Sequence, residues 1–228
     1  MFYNQEVMNR LFSVVLLLIL TCSAFTQTPA NPLSSRTHVA WQPPGWDGLF
    51  NELPTATVPK EMVGAFRVSD FPIELEETKM DDVRAHLGGT IGHKGDAGEY
   101  LEWLCFRGTD SEGRWVLWLE SGEIDGGMVG RFRWQRLPMN AELDQRCRML
   151  QREAGGILLP ISLRLGTTEK EVLKTLGTPT VRRGDRLIYV HEHDETIRGE
   201  AFTSYNIVEV RFRGGTVCAI GVSKTVSS

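Results

Sequence analysis

Residues Ile161–Pro179 read ISLRLGTTEKEVLKTLGTP, and they predict a short helix with a defined start and a hard stop. Thr168 is a good N-cap, because its hydroxyl can accept from an unpaired first-turn N–H, and Glu171 can answer back to the cap's own N–H. Val172, Leu173 and Leu176 then supply apolar contacts at helical spacing. Gly177 takes the C′ position, where a positive φ is cheap, and Pro179 forbids continuation. A helix this short does not hold in water on its own, so it must pack on another element, expected to be a sheet.

A diverged copy lies upstream, at Pro72–Gly88. Pro72, Ile73 and Leu75 precede Pro160, Ile161 and Leu163 by 88 positions, and Val83, Leu87 and Gly88 precede Val172, Leu176 and Gly177 by 89. Gly95, Asp96 and Tyr100 lie 89 before Gly184, Asp185 and Tyr189, and Gly126–Gly127 lie 88 before Gly214–Gly215. Four blocks in one order at nearly constant spacing read as an internal duplication. The upstream cap is expected at Thr78, answered by Asp81.

Aromatic and branched runs bounded by Gly, Asp and Ser predict strands at Tyr100–Phe106, Trp115–Leu119 and Val129–Leu137. In the second copy they fall at Arg186–His191, Ser204–Arg213 and Thr216–Ser223. Period-2 alternation puts Phe132 and Trp134 on one face with Arg131 and Arg133 on the other. It likewise turns Val208, Val210 and Phe212 toward the helices and Glu209, Arg211 and Arg213 away. Val63–Asp70 reads as a strand or a short first helix. Asn140–Ala154 reads as a helix, with Leu143, Cys147 and Leu150 at helical spacing and a Gly155–Gly156 stop.

The second copy resembles the SmpA/OmlA family, small lipoproteins of the outer-membrane β-barrel assembly machinery, whose relatives share the fold of the β-lactamase inhibitor proteins. The residues that carry the resemblance are Gly166–Thr168, Glu171–Val172, Leu176–Pro179, Tyr189, and Val208–Phe212 turning at Gly214–Gly215 into Val217. The resemblance implies units of two short helices followed by a three-stranded antiparallel meander, in tandem as in the inhibitor proteins. The expected fold class is therefore α+β, two tandem units whose meanders can join into one continuous sheet. Repeat unit 1 would span 61–138 and repeat unit 2, the SmpA/OmlA-like one, 139–228.

Before these units, Leu11–Leu20 is an apolar run after Arg10, shorter than a membrane-spanning helix needs, with the small residues Thr21–Ala24 behind it. Residues 1–24 read as a secretory signal peptide. The rival is a lipoprotein signal acylated at Cys22, against which Thr21 stands where Gly, Ala or Ser is usual. Residues 25–60 read as a Pro-rich tether. Within it Trp41-Gln-Pro-Pro-Gly-Trp46 places two indoles about a turn, either folded back on the domain or kept for a partner. The expected location is secreted or periplasmic, with a membrane anchor only through the signal or a lipid on Cys22.

Composition excludes little. Hydrophobic residues make up 41 % and charged residues 24 %, as in ordinary globular chains, and a net charge of −4 offers no basic excess for nucleic acid. No nucleophile elbow, phosphate loop, dinucleotide fingerprint or paired zinc cysteines occur. No cofactor is expected. Four candidate sites remain. The sheet face opposite the helices carries Arg131, Arg133, Glu209, Arg211 and Arg213, with Trp103 and Trp118 depending on register. Arginine beside aromatics is the chemistry of protein-contact hot spots, and the inhibitor proteins' resemblance implies partner binding through that surface. His191 and His193 share one strand face, a two-ligand start for a metal with no third ligand in view. Cys105, Cys147 and Cys218 read as three buried thiols, the rival being one disulfide and one leftover thiol. The acidic loop Glu120–Gly127 lacks the standard calcium spacing and reads as solvated. The expectation is a non-enzymatic binding module for another envelope or secreted protein, an assembly scaffold or an inhibitor. The alternative is a metal-dependent or other hydrolase using the His191/His193 strand.

Overall fold

The computed structural model describes residues 38–39, 43–44, 57–96, 99–150, 156–197 and 200–227. All belong to the compact unit Arg36–Ser228. The expected signal peptide, Cys22, Trp41 and Trp46 lie outside the described residues.

In chain order the elements are β1 (His38–Val39), β2 (Ala65–Val68), β3 (Phe71–Glu74), α1 (Met80–Leu87), β4 (Gly92–Lys94), β5 (Leu101–Asp110), β6 (Gly113–Gly122) and β7 (Arg131–Arg136). They continue with β8 (Glu142–Leu143), β9 (Arg148–Met149), β10 (Ile157–Leu158), α2 (Glu169–Leu176), β11 (Val181–Arg183), β12 (Arg186–Ile197), β13 (Glu200–Arg213) and β14 (Thr216–Ser227). One nine-stranded sheet runs in the order β11-β12-β13-β14-β7-β6-β5-β4, with β9 added beside β5. Among the described residues there are also a three-stranded sheet, β10-β2-β3, and a two-strand pair, β1-β8.

This overturns the expected α+β class. The described structure is mostly β, built on one large antiparallel sheet, with two helices of 8 residues each in place of two per unit. Two expected helices are missing: Val63–Asp70, read as a strand or a short first helix, holds β2, and Asn140–Ala154 is not helical over its described part, which instead holds β8 and β9. Leu143 packs in one apolar cluster with Cys147 while Leu150 packs in another, so the three residues never formed a single helical stripe. The Asp144 carboxylate accepts from the Arg146 backbone N–H at 2.9 Å and from its guanidinium at 2.7 Å, a local clasp that competes with helix.

Local chemistry explains the elements that do form. Thr168 accepts from Glu171 N–H and the Glu171 carboxylate accepts from Thr168 N–H at 2.9 Å, so α2 starts on a complete capping box. The expected Thr78 cap of α1 is absent. The N-cap there is Lys79, with no side-chain bond, and Thr78 Oγ1 accepts from Glu74 N–H at 2.8 Å instead. Gly214 and Gly215, with φ of 60° and 81°, form the two-residue turn that joins β13 to β14 with right-handed twist.

The order helix, short strand, three long strands occurs twice, as α1-β4-β5-β6-β7 and α2-β11-β12-β13-β14. The two meanders meet edge to edge where β7 pairs with β14. Register contradicts one of the four blocks on which the duplication reading rests, the one that matches Tyr100 to Tyr189. Gly92 pairs with Trp103 and Val181 with Ile188, so Tyr189 corresponds to Leu104. Tyr100 lies ahead of β5, in a loop lengthened in the first half, and is not the counterpart of Tyr189.

The main core lies on the sheet face toward the helices. Leu104, Phe106, Leu117, Leu119, Phe132, Tyr189, Val208, Val210, Ile220 and Val222 supply it from the sheet. Met80, Val83 and Val172 of the helices and Phe66, Val68 and Ile73 of the small sheet close it. Phe66 and Phe132 meet with ring centroids 4.2 Å apart. Burial of aromatic and branched side chains on this scale is what holds the short helices in place.

Candidate functional site

Alternation puts all seven residues of the candidate contact surface on the sheet face away from the helices, but they are not equally accessible. Trp103 and Trp118 are only 3 % and 1 % exposed. The segment that follows β7 crosses this face and packs Leu137, Ala141, Leu143 and Cys147 against them. Cys147 is disulfide-bonded to Cys105 on β5, which fixes the segment in place as a strap. The two tryptophans are therefore a second core, not contact residues, and the reading of three buried thiols is corrected to one disulfide and one free thiol. Cys218 keeps its thiol, half-buried, with burial raising its pKa above the ordinary range. Helical and strand spacing carried no sign of this pairing, because the partners sit on different elements 42 residues apart.

Beyond the strap the face carries charge. Glu120 on β6 and Glu209 on β13 occupy corresponding positions, opposite Trp103 and Ile188 respectively, and are 1 % and 2 % exposed. Each holds arginine. Arg131 Nε lies 3.3 Å from the Glu120 carboxylate, Arg186 Nη1 lies 3.6 Å from that of Glu209, and Arg211 Nε donates to Glu209 directly. The side chains of Arg131, Arg186 and Arg211 are 24 %, 27 % and 23 % exposed, so each is partly in solvent while anchored from below. Arg133 is buried between the two groups, opposite Gly221, and Arg213 at the β13 end is exposed. Sequence alternation found Arg131, Arg211 and Glu209. It missed Glu120 and Arg186, whose importance depends on cross-strand register.

The acidic loop is solvated only in part: Glu123, Ile124 and Gly126 are exposed, while Glu120 and Asp125 are buried. Asp125 is 5 % exposed, and its carboxylate accepts from Gly122 N–H and packs on Gly130, where a side chain would collide with it. Beside it stands Glu76, held at a left-handed φ of 69°. Burial first, and then the Asp125 charge, push the Glu76 carboxyl up to about 7; burial also raises Asp125. A cavity of about 400 Å³ opens at this end of the sheet, lined by Asp125, Arg131, Lys224, Tyr100 and the exposed Ile124 among others. Lys224 Nζ lies 3.6 Å from the Glu61 carboxylate.

His191 and His193 do share a strand face, with parallel rings whose centroids are 6.4 Å apart. His191 Nδ1 is 2.9 Å from the Val58 carbonyl oxygen, which occupies one of its nitrogens. Among the described residues no three His, Cys, Asp or Glu side chains converge as metal ligands. Among them, too, no helix is long and apolar enough to cross a membrane.

No protein-family model matches the chain, and no curated protein or solved structure matches it.

Proposed function

We propose that the chain is a protein-binding module of an oxidising compartment, which presents the charged half of its outer sheet face to a partner protein. One observation carries the reading: two buried carboxylates, Glu120 and Glu209, hold Arg131, Arg186 and Arg211 in fixed, partly exposed positions. A guanidinium already ordered by a buried anion has lost its rotamer entropy before a partner arrives. Its partly exposed, planar guanidinium suits carbonyl and carboxylate groups on another protein, and arginine is enriched at interface hot spots. The disulfide Cys105–Cys147 supports the oxidising compartment, as does the leader read at residues 1–24. The resemblance of Gly166–Val217 to the SmpA/OmlA family supports an envelope setting, although each half of the sheet carries one helix here.

Affinity capture with the disulfide-intact protein from secreted and envelope fractions tests the class. The reading predicts one protein recovered in stoichiometric amount. Recovery of none overturns it.

A second reading, acid–base catalysis, has a separate observation behind it: the Glu76–Asp125 carboxyl pair, whose Asp125 lines a cavity and whose Glu76 carboxyl is pushed up to about 7 by burial. A hydrolytic activity lost in Glu76→Gln, with partner capture unchanged, would favour it.

A further inference from the structure

The two halves of the sheet differ at one edge. On β5, β4 pairs only with Leu101–Trp103, and farther along β9 adds a parallel strand, with Arg148 beside Phe106 and Met149 beside Arg107. The Leu150 N–H donates to the Arg107 carbonyl at 2.9 Å. On β12, β11 pairs only with Arg186–Ile188. The outward-facing groups of Val190 are met by Thr180 Oγ1 at 2.9 Å and by the Val58 N–H at 2.7 Å. Since alternate residues of an antiparallel strand point their N–H and C=O the same way, the outward set continues through Glu192, Asp194 and Thr196. No described strand pairs with them. By register, Glu192 corresponds to Arg107, the residue that receives the chain's own added strand.

Side-chain exposure agrees. Glu192, His193, Asp194 and Thr196 are all exposed, so successive residues on both faces are in solvent and the β12–β13 ribbon projects past the core. The hairpin His191–Glu200 carries four acidic residues, Glu192, Asp194, Glu195 and Glu200, against the single Arg198. Such an edge repels a second copy of itself, because like charges would fall opposite each other.

We propose that the edge of β12 from Glu192 to Thr196, which no described strand covers, accepts an extended, lysine- or arginine-bearing strand of the partner protein, completing in the second half what β9 completes in the first. The inference rests on the protein-binding reading and adds the partner's chemistry to it. Backbone hydrogen bonds provide the attachment, and the acidic side chains select basic residues.

The test uses the disulfide-intact chain and two eight-residue extended peptides, one alternating Lys with Val and one alternating Glu with Val. Binding is read by fluorescence anisotropy, and amide hydrogen exchange is read at Glu192, Asp194 and Thr196. The inference expects the lysine peptide to bind, to slow exchange at those three amides, and to bind about tenfold more weakly to Thr196→Pro, which removes an edge donor, and to Glu192→Lys/Asp194→Lys. Equal binding of the glutamate peptide, or lysine-peptide binding without amide protection, overturns it. So does dimerisation through this edge, seen as protection that grows with protein concentration. A captured partner combined with no lysine-peptide binding sinks this inference alone; absence of any partner, with the peptide still bound, sinks the broader reading and leaves the edge.

Discussion

Phe132 on β7 and Val222 on β14 sit opposite each other across the strand pair that joins the two meanders. Both are fully buried, and both lie on the face toward the helices. Each is the counterpart of the other under the repeated element order: Leu119 pairs with Phe132 as Val208 pairs with Val222. The seam is therefore a packed part of one core, and the halves should unfold together. Phe132→Ala is expected to cost about 3–5 kcal/mol, the usual penalty for an aromatic cavity. Arg213→Ala, at an exposed strand end, should stay within about 0.5 kcal/mol. Chemical denaturation followed by circular dichroism compares them, and the wild type should show one transition.

The Cys105–Cys147 bridge closes a loop of 42 residues. Chain-entropy estimates for a loop of that length give about 4 kcal/mol, and native bridges in small domains are worth about 2–5 kcal/mol. Cys105→Ser/Cys147→Ser should lose stability in that range. Release of the strap should also wet Trp103 and Trp118, giving a red-shifted tryptophan emission while the sheet signal persists.

The two helices make opposite predictions at their starts. Thr168→Ala breaks the capping box of α2 and should cost about 0.5–2 kcal/mol. Lys79 has the extended backbone of an N-cap, φ −74° and ψ 143°, but no capping bond. Lys79→Ser should gain about 0.5–1 kcal/mol. Paired thermal melts read both effects.

Glu76 makes stability depend on pH in the less common direction. Its folded carboxyl is raised to about 7 from an ordinary 4.5, chiefly by burial. Between those values the folded chain holds a proton that the unfolded chain has released. Stability is therefore full below about 4.5, falls as pH rises toward 7, and is level above that. The loss attributable to Glu76 should be about 1–2 kcal/mol, less than the whole shift implies because the residue is half-buried and solvent screens it. Glu76→Gln should flatten this slope in denaturation curves taken from pH 4.5 to 8.

The strands and their faces were legible in the sequence because alternation is a local signal. Phe132 and Trp134 inward, Arg131 and Arg133 outward, follow from four consecutive letters. The helix α2 was legible because Thr168, Glu171 and Gly177 act within their own turns. What escaped depends on contacts between distant residues. The Cys105–Cys147 bridge turned an apparent helix at Leu143–Leu150 into a strap and buried Trp103 and Trp118 beneath it. The longer loop before β5 broke the match of Tyr100 to Tyr189, although the spacing in sequence was right. Glu209 reads in sequence as an outward contact residue and Glu120 as part of a solvated loop, neither as a buried anchor. Only register shows that each lies under an arginine, and only the folded turns bring Asp125 beside Glu76.

The most direct measurement of the central claim is the affinity of the captured partner for the wild type and for Arg131→Glu/Arg211→Glu/Arg213→Glu, with circular dichroism confirming that the variant is folded. Loss of two partner-facing anchors and reversal of the rim charge should weaken binding at least about a hundredfold, and raising the salt concentration should weaken the wild type as well. Equal affinity of a folded variant would contradict the account and remove the arginine face as the binding surface.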